Sequence, residues 1–324
     1  MAAAMEDTAT AIEWLENGRG LKLCVRVWAP SGTAVKAVLV LVHGFTWHSL
    51  YFSEFAAKAA AQGVEVVSFD LQGHGRSESL NGVRGYARRM SDFSQDAAQV
   101  LAWARQRHAA ASPGHSPPAV LGGESMGGAI VLRLLLLQQP ELQQQAKSRT
   151  KKLKQQPRLQ LAGVLLLGPV VRVAATLLPP APVLWVLRQL ARFFPTLPVP
   201  DDSIQKGFES AFGDPEFAAR AKLDPLVVLQ APRIGMAVEL LDSCAAVSAA
   251  LEHLTLPLLA LHGALDTRTE PANTLDLGRR AASRDKTVRV VEGAYHQLLQ
   301  DQPGIREAVT QQILAWVLER AGGG

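Results

Sequence analysis

Apolar positions follow two rhythms along this chain. Ala37 to Val42 is a continuous apolar run of strand length, as expected of a strand buried on both faces, and Val64 to Asp70 reads as a second buried strand. Phe52 to Gln62 and Ser91 to Arg107 instead space their apolar residues at helical intervals, with Ser91 as the N-cap of the second. Ile12 to Leu15 and the alternating Leu21 to Trp28 flank Asn17-Gly18-Arg19-Gly20 and predict a hairpin. A strand at Ala119 to Gly122, a helix from Gly127 to Gln138 and a strand from Ala162 to Leu167 continue the alternation. It stops near Pro169, where prolines and aromatics (Trp185, Phe193, Phe194, Phe208, Phe212, Phe217) accumulate, and resumes after Ala250. Leu258 to Leu261, Pro271 to Ser283, Thr287 to Val291 and Ile305 to Arg320 then read as strand, helix, strand and terminal helix. Strands alternating with helices predict an α/β fold with a doubly wound, mostly parallel sheet. The interruption predicts an inserted helical cap at 169–250, between core segments 1–168 and 251–324.

Composition adds three constraints. With 48% hydrophobic and 19% charged residues among 324, a disordered chain is excluded. The net charge of +4 comes from one segment: Lys147, Arg149, Lys151, Lys152, Lys154 and Arg158 carry six positive charges with no acid between them. The remainder is slightly acidic, so a nucleic-acid-binding surface is not implied. That segment follows the Gly127–Gln138 helix and should begin at the edge of the sheet opposite the Ser125 turn. Its expected role is therefore a solvated loop or a secondary contact with anionic lipid, and substrate steering is disfavoured. Two cysteines, Cys24 and Cys244, are too few for a disulfide framework or a thiolate metal cage. Met1 to Ala11 has no apolar h-region, and no run of 18 uncharged apolar residues occurs. A cytoplasmic location is expected, with peripheral membrane contact through the cap as its extension.

The chemistry centres on Gly123-Glu124-Ser125-Met126-Gly127, a G-x-S-x-G. Alone it is weak, since average composition produces it in about one chain in ten of this length. Here a strand precedes it and a helix follows, the arrangement of a nucleophile elbow. A serine hydroxyl needs a base, and this architecture places an acid and then a histidine after the serine. His262 and His296 lie beyond the cap. His296 follows the last strand and is the expected base; His262 reads as a strand-end structural residue. Asp266 is the expected acid, with Glu270 and Asp276 as rivals further along, at or inside the helix. The oxyanion donors are expected from the backbone N–H groups of Met126 and Phe45, within His43-Gly44-Phe45. His43 is expected to stabilise that loop. No metal or organic cofactor is needed.

These motifs, with Phe69-Asp70, Gly73-His74-Gly75-Arg76-Ser77, Asp224-Pro225-Leu226, His262-Gly263 and Gly293-Ala294-Tyr295-His296, resemble the α/β-hydrolase superfamily. Within it they are similar to the monoacylglycerol lipase/lysophospholipase branch, the serine aminopeptidase S33-type hydrolases. The resemblance implies a serine hydrolase of long-chain monoacyl esters under a mobile apolar cap, monoacylglycerol foremost. It also implies head-group contacts at Trp47, Tyr51 and Leu299, where the animal lipases carry Glu, Arg and His. Those three replacements make the polar end of the pocket less polar. Lysophospholipase, acyltransferase and small phenolic-ester esterase activities are alternatives at the same site. His296 and Asp301 also fit an H-x-x-x-x-D acyltransferase pattern, a two-residue signal. A catalytically dead binding protein would have lost a triad member, and none is missing. Dehalogenase and epoxide-hydrolase chemistry would require Asp in place of Ser125.

Overall fold

A computed structural model describes residues 7–111, 116–138, 159–173, 178–200 and 203–322. The basic segment 147–158 lies outside the described residues. Eight strands form one sheet: β1 (Ala11–Glu16), β2 (Lys22–Trp28), β3 (Ala37–Val42), β4 (Val64–Phe69), β5 (Ala119–Glu124), β6 (Gly163–Leu167), β7 (Leu258–Gly263) and β8 (Lys286–Val291). Their order is β1-β2-β4-β3-β5-β6-β7-β8. The β1–β2 and β2–β4 pairings are antiparallel and the rest parallel. This is the α/β-hydrolase fold.

The helices are α1 (Ser53–Ala61), α2 (Met90–Ala111), α3 (Met126–Arg133), α4 (Ala181–Phe193), α5 (Ser203–Lys206), α6 (Pro215–Lys222), α7 (Ile234–Ala249), α8 (Pro271–Arg280) and α9 (Pro303–Gly322). Because strand side chains alternate between faces, each central strand feeds two cores. Val38, Val40 and Val42 pack with residues of α2, α3, α7 and α8. Ala37, Leu39 and Leu41 pack with residues of α1 and α9. A sheet covered on both faces is why β3 is apolar at every position.

Three expectations shift in detail. Helix α2 already includes Met90, so Ser91 lies inside the first turn and is not the N-cap. Helix α3 ends at Arg133, and Leu134–Gln138 continues as a π-helical turn. In the stretch expected to be cap, 169–250, α7 sends Met236, Cys244 and Val247 into the same core as β3 and α3. That helix is a core layer as well as a support for α4. The site is set by the carboxyl ends of β3, β5, β7 and β8, where ligand crevices of open α/β sheets form.

Candidate active site

Ser125 stands between β5 and α3 with φ 54° and ψ −120°, a left-handed conformation that a serine adopts only under constraint. The constraint is visible. Its N–H donates to the Leu167 carbonyl (2.9 Å), and its carbonyl accepts from Gly128 (3.0 Å) and Val170 (3.1 Å). The flanking glycines are needed because the turn is so tight. A Cβ on Gly123 would stand 2.3 Å from the Gly127 carbonyl oxygen, and one on Gly127 2.1 Å from that of Val42. The turn leaves Ser125 at the amino end of α3, where first-turn N–H groups lack helical partners and the dipole favours negative charge.

His296 lies on the loop after β8 and is 4% exposed. Its Nδ1 is 2.6 Å from Asp266 Oδ2, on the loop after β7. Asp266 has a dense set of donors: Thr269 Oγ1 at 2.7 Å and His262 Nε2 at 3.0 Å reach Oδ2, while the backbone N–H groups of Arg268 and Thr269 reach Oδ1. Burial alone would raise its pKa. The His296 charge and the hydrogen bonds from His262, His296 and Thr269 outweigh burial and hold the carboxyl well below the ordinary range. With Nδ1 directed at a carboxylate, His296 has Nε2 left for a reacting hydroxyl. His262 is fully buried and also bonds Thr274 Oγ1 (2.7 Å), which pins Asp266 from behind. Asp276 pairs with Arg172, Arg279 and Arg280, and Glu270 takes the Asn273 amide, so both rival acids are engaged elsewhere.

The loop after β3 forms the other wall. His43 is buried; its Nδ1 lies 2.7 Å from the Gly44 carbonyl, and its Nε2 accepts from the Leu71 N–H (2.9 Å). Burial, and then the neighbouring His74, lower its pKa to about 3, so it is a neutral brace between loops. The Thr46 carbonyl accepts from Val228, and His48 Nε2 meets Asp224 Oδ2 at 3.1 Å. These two contacts tie the Phe45 loop to the segment between α6 and α7.

Ser125, His296, Phe45 and Met126 share a cavity of about 580 Å³. Its walls are mostly apolar and include Val183, Leu184 and Leu187 of α4 and Met236 and Leu240 of α7; Arg172, Arg268 and Thr269 are among its polar members. Of the three residues expected at the head group, Trp47 lines the cavity. Tyr51 does not: its ring stacks behind Trp47 (centroids 4.0 Å apart), in a cluster with Phe208 and Phe212. Leu299 is turned into the core with Phe52, Ile313 and Leu314 under α9. Both placements have one cause, since an apolar or aromatic side chain beside a buried layer is drawn into it. Asp301 caps its own loop by accepting the Tyr295 and Gln302 N–H groups, so the H-x-x-x-x-D spacing has a structural origin here. Gln297 was missed from the sequence although it lines the cavity; its only signal was adjacency to His296. Among the described residues, no group of three or more His, Cys, Asp or Glu is placed to hold a metal ion.

Comparison with known proteins gives a consistent set. Residues 33–303 match the serine aminopeptidase S33 family. Caffeoylshikimate esterase from Arabidopsis thaliana is 28% identical over 92% of this chain and 82% of its own length. Monoglyceride lipase from Homo sapiens is 29% identical over 94% of this chain and 90% of its own. Monoacylglycerol lipase from Mycolicibacterium smegmatis is 27% identical over 92% and 94%. Among solved structures, a soluble variant of monoglyceride lipase from Saccharomyces cerevisiae superposes with a TM-score of 0.79, at 18% identity and 99% coverage of both chains. A Paleococcus ferrophilus monoacylglycerol lipase gives 0.72 at 22% identity, covering 92% of this chain and 99% of its own. These two structures share the fold.

Proposed function

The chain belongs to the serine aminopeptidase S33 family of α/β hydrolases, and on that premise we propose that it is a carboxylic-ester hydrolase acting on single-chain acyl lipids, monoacylglycerol foremost. The observation that carries the reading is a mostly apolar cavity lined by Ser125, by the carboxylate-oriented His296 and by Phe45 and Met126. Its volume is that of a pocket for one extended ligand of modest size. The acyl chain lies against α4 and α7, and the ester carbonyl sits over Ser125.

In the proposed reaction His296 Nε2 takes the Ser125 proton as Oγ attacks the ester carbonyl. The N–H groups of Phe45 and Met126 hold the developing oxyanion, and Asp266 stabilises the imidazolium. His296 returns the proton to the leaving alcohol; water, activated in the same way, then releases the fatty acid. Helices α4 to α6 serve as the lid. The lid helix α4 supports a second element of the reading, contact with a lipid surface. One side of it roofs the cavity, while Trp185 (63%), Phe193 (76%) and Phe194 (56%) of α4 and its end are exposed. A single-chain ester can then pass from a lipid layer into the cavity without crossing water. No helix among the described residues is long and apolar enough to cross a membrane.

A phenolic ester is the second reading, supported by Phe45, Trp47 and Phe208 among the lining residues, flat rings on which an aromatic acyl group stacks. The two are separated by initial rates on a panel of monoacylglycerols, lysophospholipids and hydroxycinnamoyl esters, with product analysis in the presence of a lysolipid acceptor. Highest kcat/KM on a long-chain monoacylglycerol is expected. Preference for hydroxycinnamoyl esters would replace the first reading with the second, and acyl transfer to the lysolipid would make the protein a transferase.

A further inference from the structure

Glu124, the variable residue of the elbow immediately before Ser125, is a carboxyl buried to 1% exposure. No cation offsets that burial among the described residues; the charge that bears on it is that of Asp266, which has the same sign. An ionised carboxylate without a counter-charge is costly in such a place, so the group is held neutral. Its side chain is not idle. With the Gln297 amide oriented so that both of its ends are satisfied, the amide nitrogen donates to Glu124 Oε1 (2.9 Å) and Oε2 (3.2 Å). In the neutral carboxyl the unprotonated oxygen is the one that accepts; in the same orientation the amide oxygen accepts from Trp47 Nε1 (2.8 Å). One amide thus joins three loops: the elbow through Glu124, the loop of the base through the residue after His296, and the oxyanion loop through the residue two after Phe45.

We infer that Glu124 is a positioning residue which uses the Gln297–Trp47 bridge to set base, nucleophile and oxyanion donors in one register. The inference rests on the triad reading above and deepens it. Ångström-scale misplacement of reacting groups costs orders of magnitude in rate, and three loops from three strands have no covalent means of staying aligned. The bridge has a built-in pH limit. The titratable groups facing Glu124 are Asp266 and Tyr51, with His296 beyond Gln297; Tyr51 is itself held protonated, first by burial and then by Glu124. Burial, and then Asp266, push the Glu124 carboxyl up to about 8, while the Gln297 N–H that donates to it works in the opposite direction. Above that range an anion appears behind the elbow, beside the place where an oxyanion must form, and opposes it.

The test uses the full chain, with active-site titration by a fluorophosphonate to normalise kcat and thermal melting to verify folding. Glu124→Leu and Gln297→Met each break the bridge and should lower kcat by about ten-fold or more with KM little changed; the double variant should be no worse than either single one. Glu124→Gln keeps an acceptor for the Gln297 amide and should recover most of the loss. In the wild type kcat should fall as pH rises through about 8, and in Glu124→Gln, which cannot ionise, that fall should be absent. Wild-type kcat in folded Glu124→Leu or Gln297→Met, or an unaltered alkaline fall in Glu124→Gln, overturns the inference. If Glu124→Leu does not fold, Gln297→Met and the pH profile of Glu124→Gln still decide. A wild type that fluorophosphonate does not label at Ser125 sinks the parent reading instead, so the two failures are distinguishable.

Discussion

At the scale of single residues, the site depends on which groups hold charge and which are kept neutral. Asp266 is surrounded by donors that favour its anion, while Glu124, a few ångströms of backbone away from the same serine, has one amide and a like charge. Two buried carboxyls therefore take opposite protonation states, a separation set by surroundings and not by residue type. In the proposed mechanism Ser125→Ala removes the nucleophile, so turnover and fluorophosphonate labelling should both vanish. Asp266→Asn keeps the shape but removes the charge that stabilises the imidazolium, and kcat should fall by about 10⁴-fold. Steady-state kinetics with labelling checks both. Near-normal turnover in Asp266→Asn would move the acid role to another group. Asp266 was legible from its offset after the penultimate strand, but its double clamp by His262 and Thr269 was not, because hydrogen bonds from a strand end and a turn converge only in three dimensions.

At the scale of elements, α4 combines two jobs. Val183, Leu184 and Leu187 line the cavity, while Trp185 and Phe193 face outward. A helix in a folded domain ordinarily spends its apolar face on the core and presents charge to water; α4 has no fully buried residue and exposes aromatics instead. Replacing Trp185 and Phe193 together by serine removes about 1.5–3 kcal/mol of transferable apolar surface per side chain. Binding to phospholipid vesicles, measured by co-sedimentation, should weaken by about ten-fold or more. Hydrolysis of a water-soluble short-chain ester should persist, because neither residue lines the cavity. Unchanged vesicle binding would remove the lipid-contact role proposed for α4. The aromatic richness of this stretch was plain in the sequence. Which aromatics face water was not, since α4 lacks a covering layer and periodicity alone cannot report one. Helix α7 shows the converse: it lies within the interruption in sequence yet belongs to the core, because Met236, Cys244 and Val247 meet β3 and α3.

At the scale of the whole molecule, stability and function share the same buried groups. The unfolded chain releases the Glu124 proton near 4.5, whereas the folded chain keeps it to about 8. Between those values the folded state holds the extra proton, so the contribution of this group to stability is full below the lower value and is lost as pH rises through the upper one. His43 and His74 act with the opposite sign. Burial, first among the causes at each, lowers them to about 3 and about 4, so the stability they contribute is present above 6.5 and is lost as pH falls below it. Comparing Glu124→Gln with the wild type isolates the first effect. The gap in melting temperature should widen in favour of Glu124→Gln between about pH 5 and pH 8. Scanning calorimetry at the two values checks it, and a constant gap would mean that Glu124 is not the group responsible.

The sequence by itself determined the element order, the elbow and the order serine, acid, histidine. These are local facts: periodicity reports burial one element at a time, and the spacing of Gly123, Ser125 and Gly127 follows from a clash of less than 2.5 Å that any such turn must avoid. Only the tertiary structure decided what faces the cavity. Trp47, Tyr51 and Leu299 are alike in sequence terms, each an apolar residue where a polar one was implied, yet one lines the cavity and two are drawn into packed layers. The same holds for the Glu124–Gln297–Trp47 bridge. Its members come from three loops at the ends of β5, β8 and β3, far apart along the chain, and a hydrogen bond at 2.8–3.2 Å exists only once the sheet has brought those strand ends together.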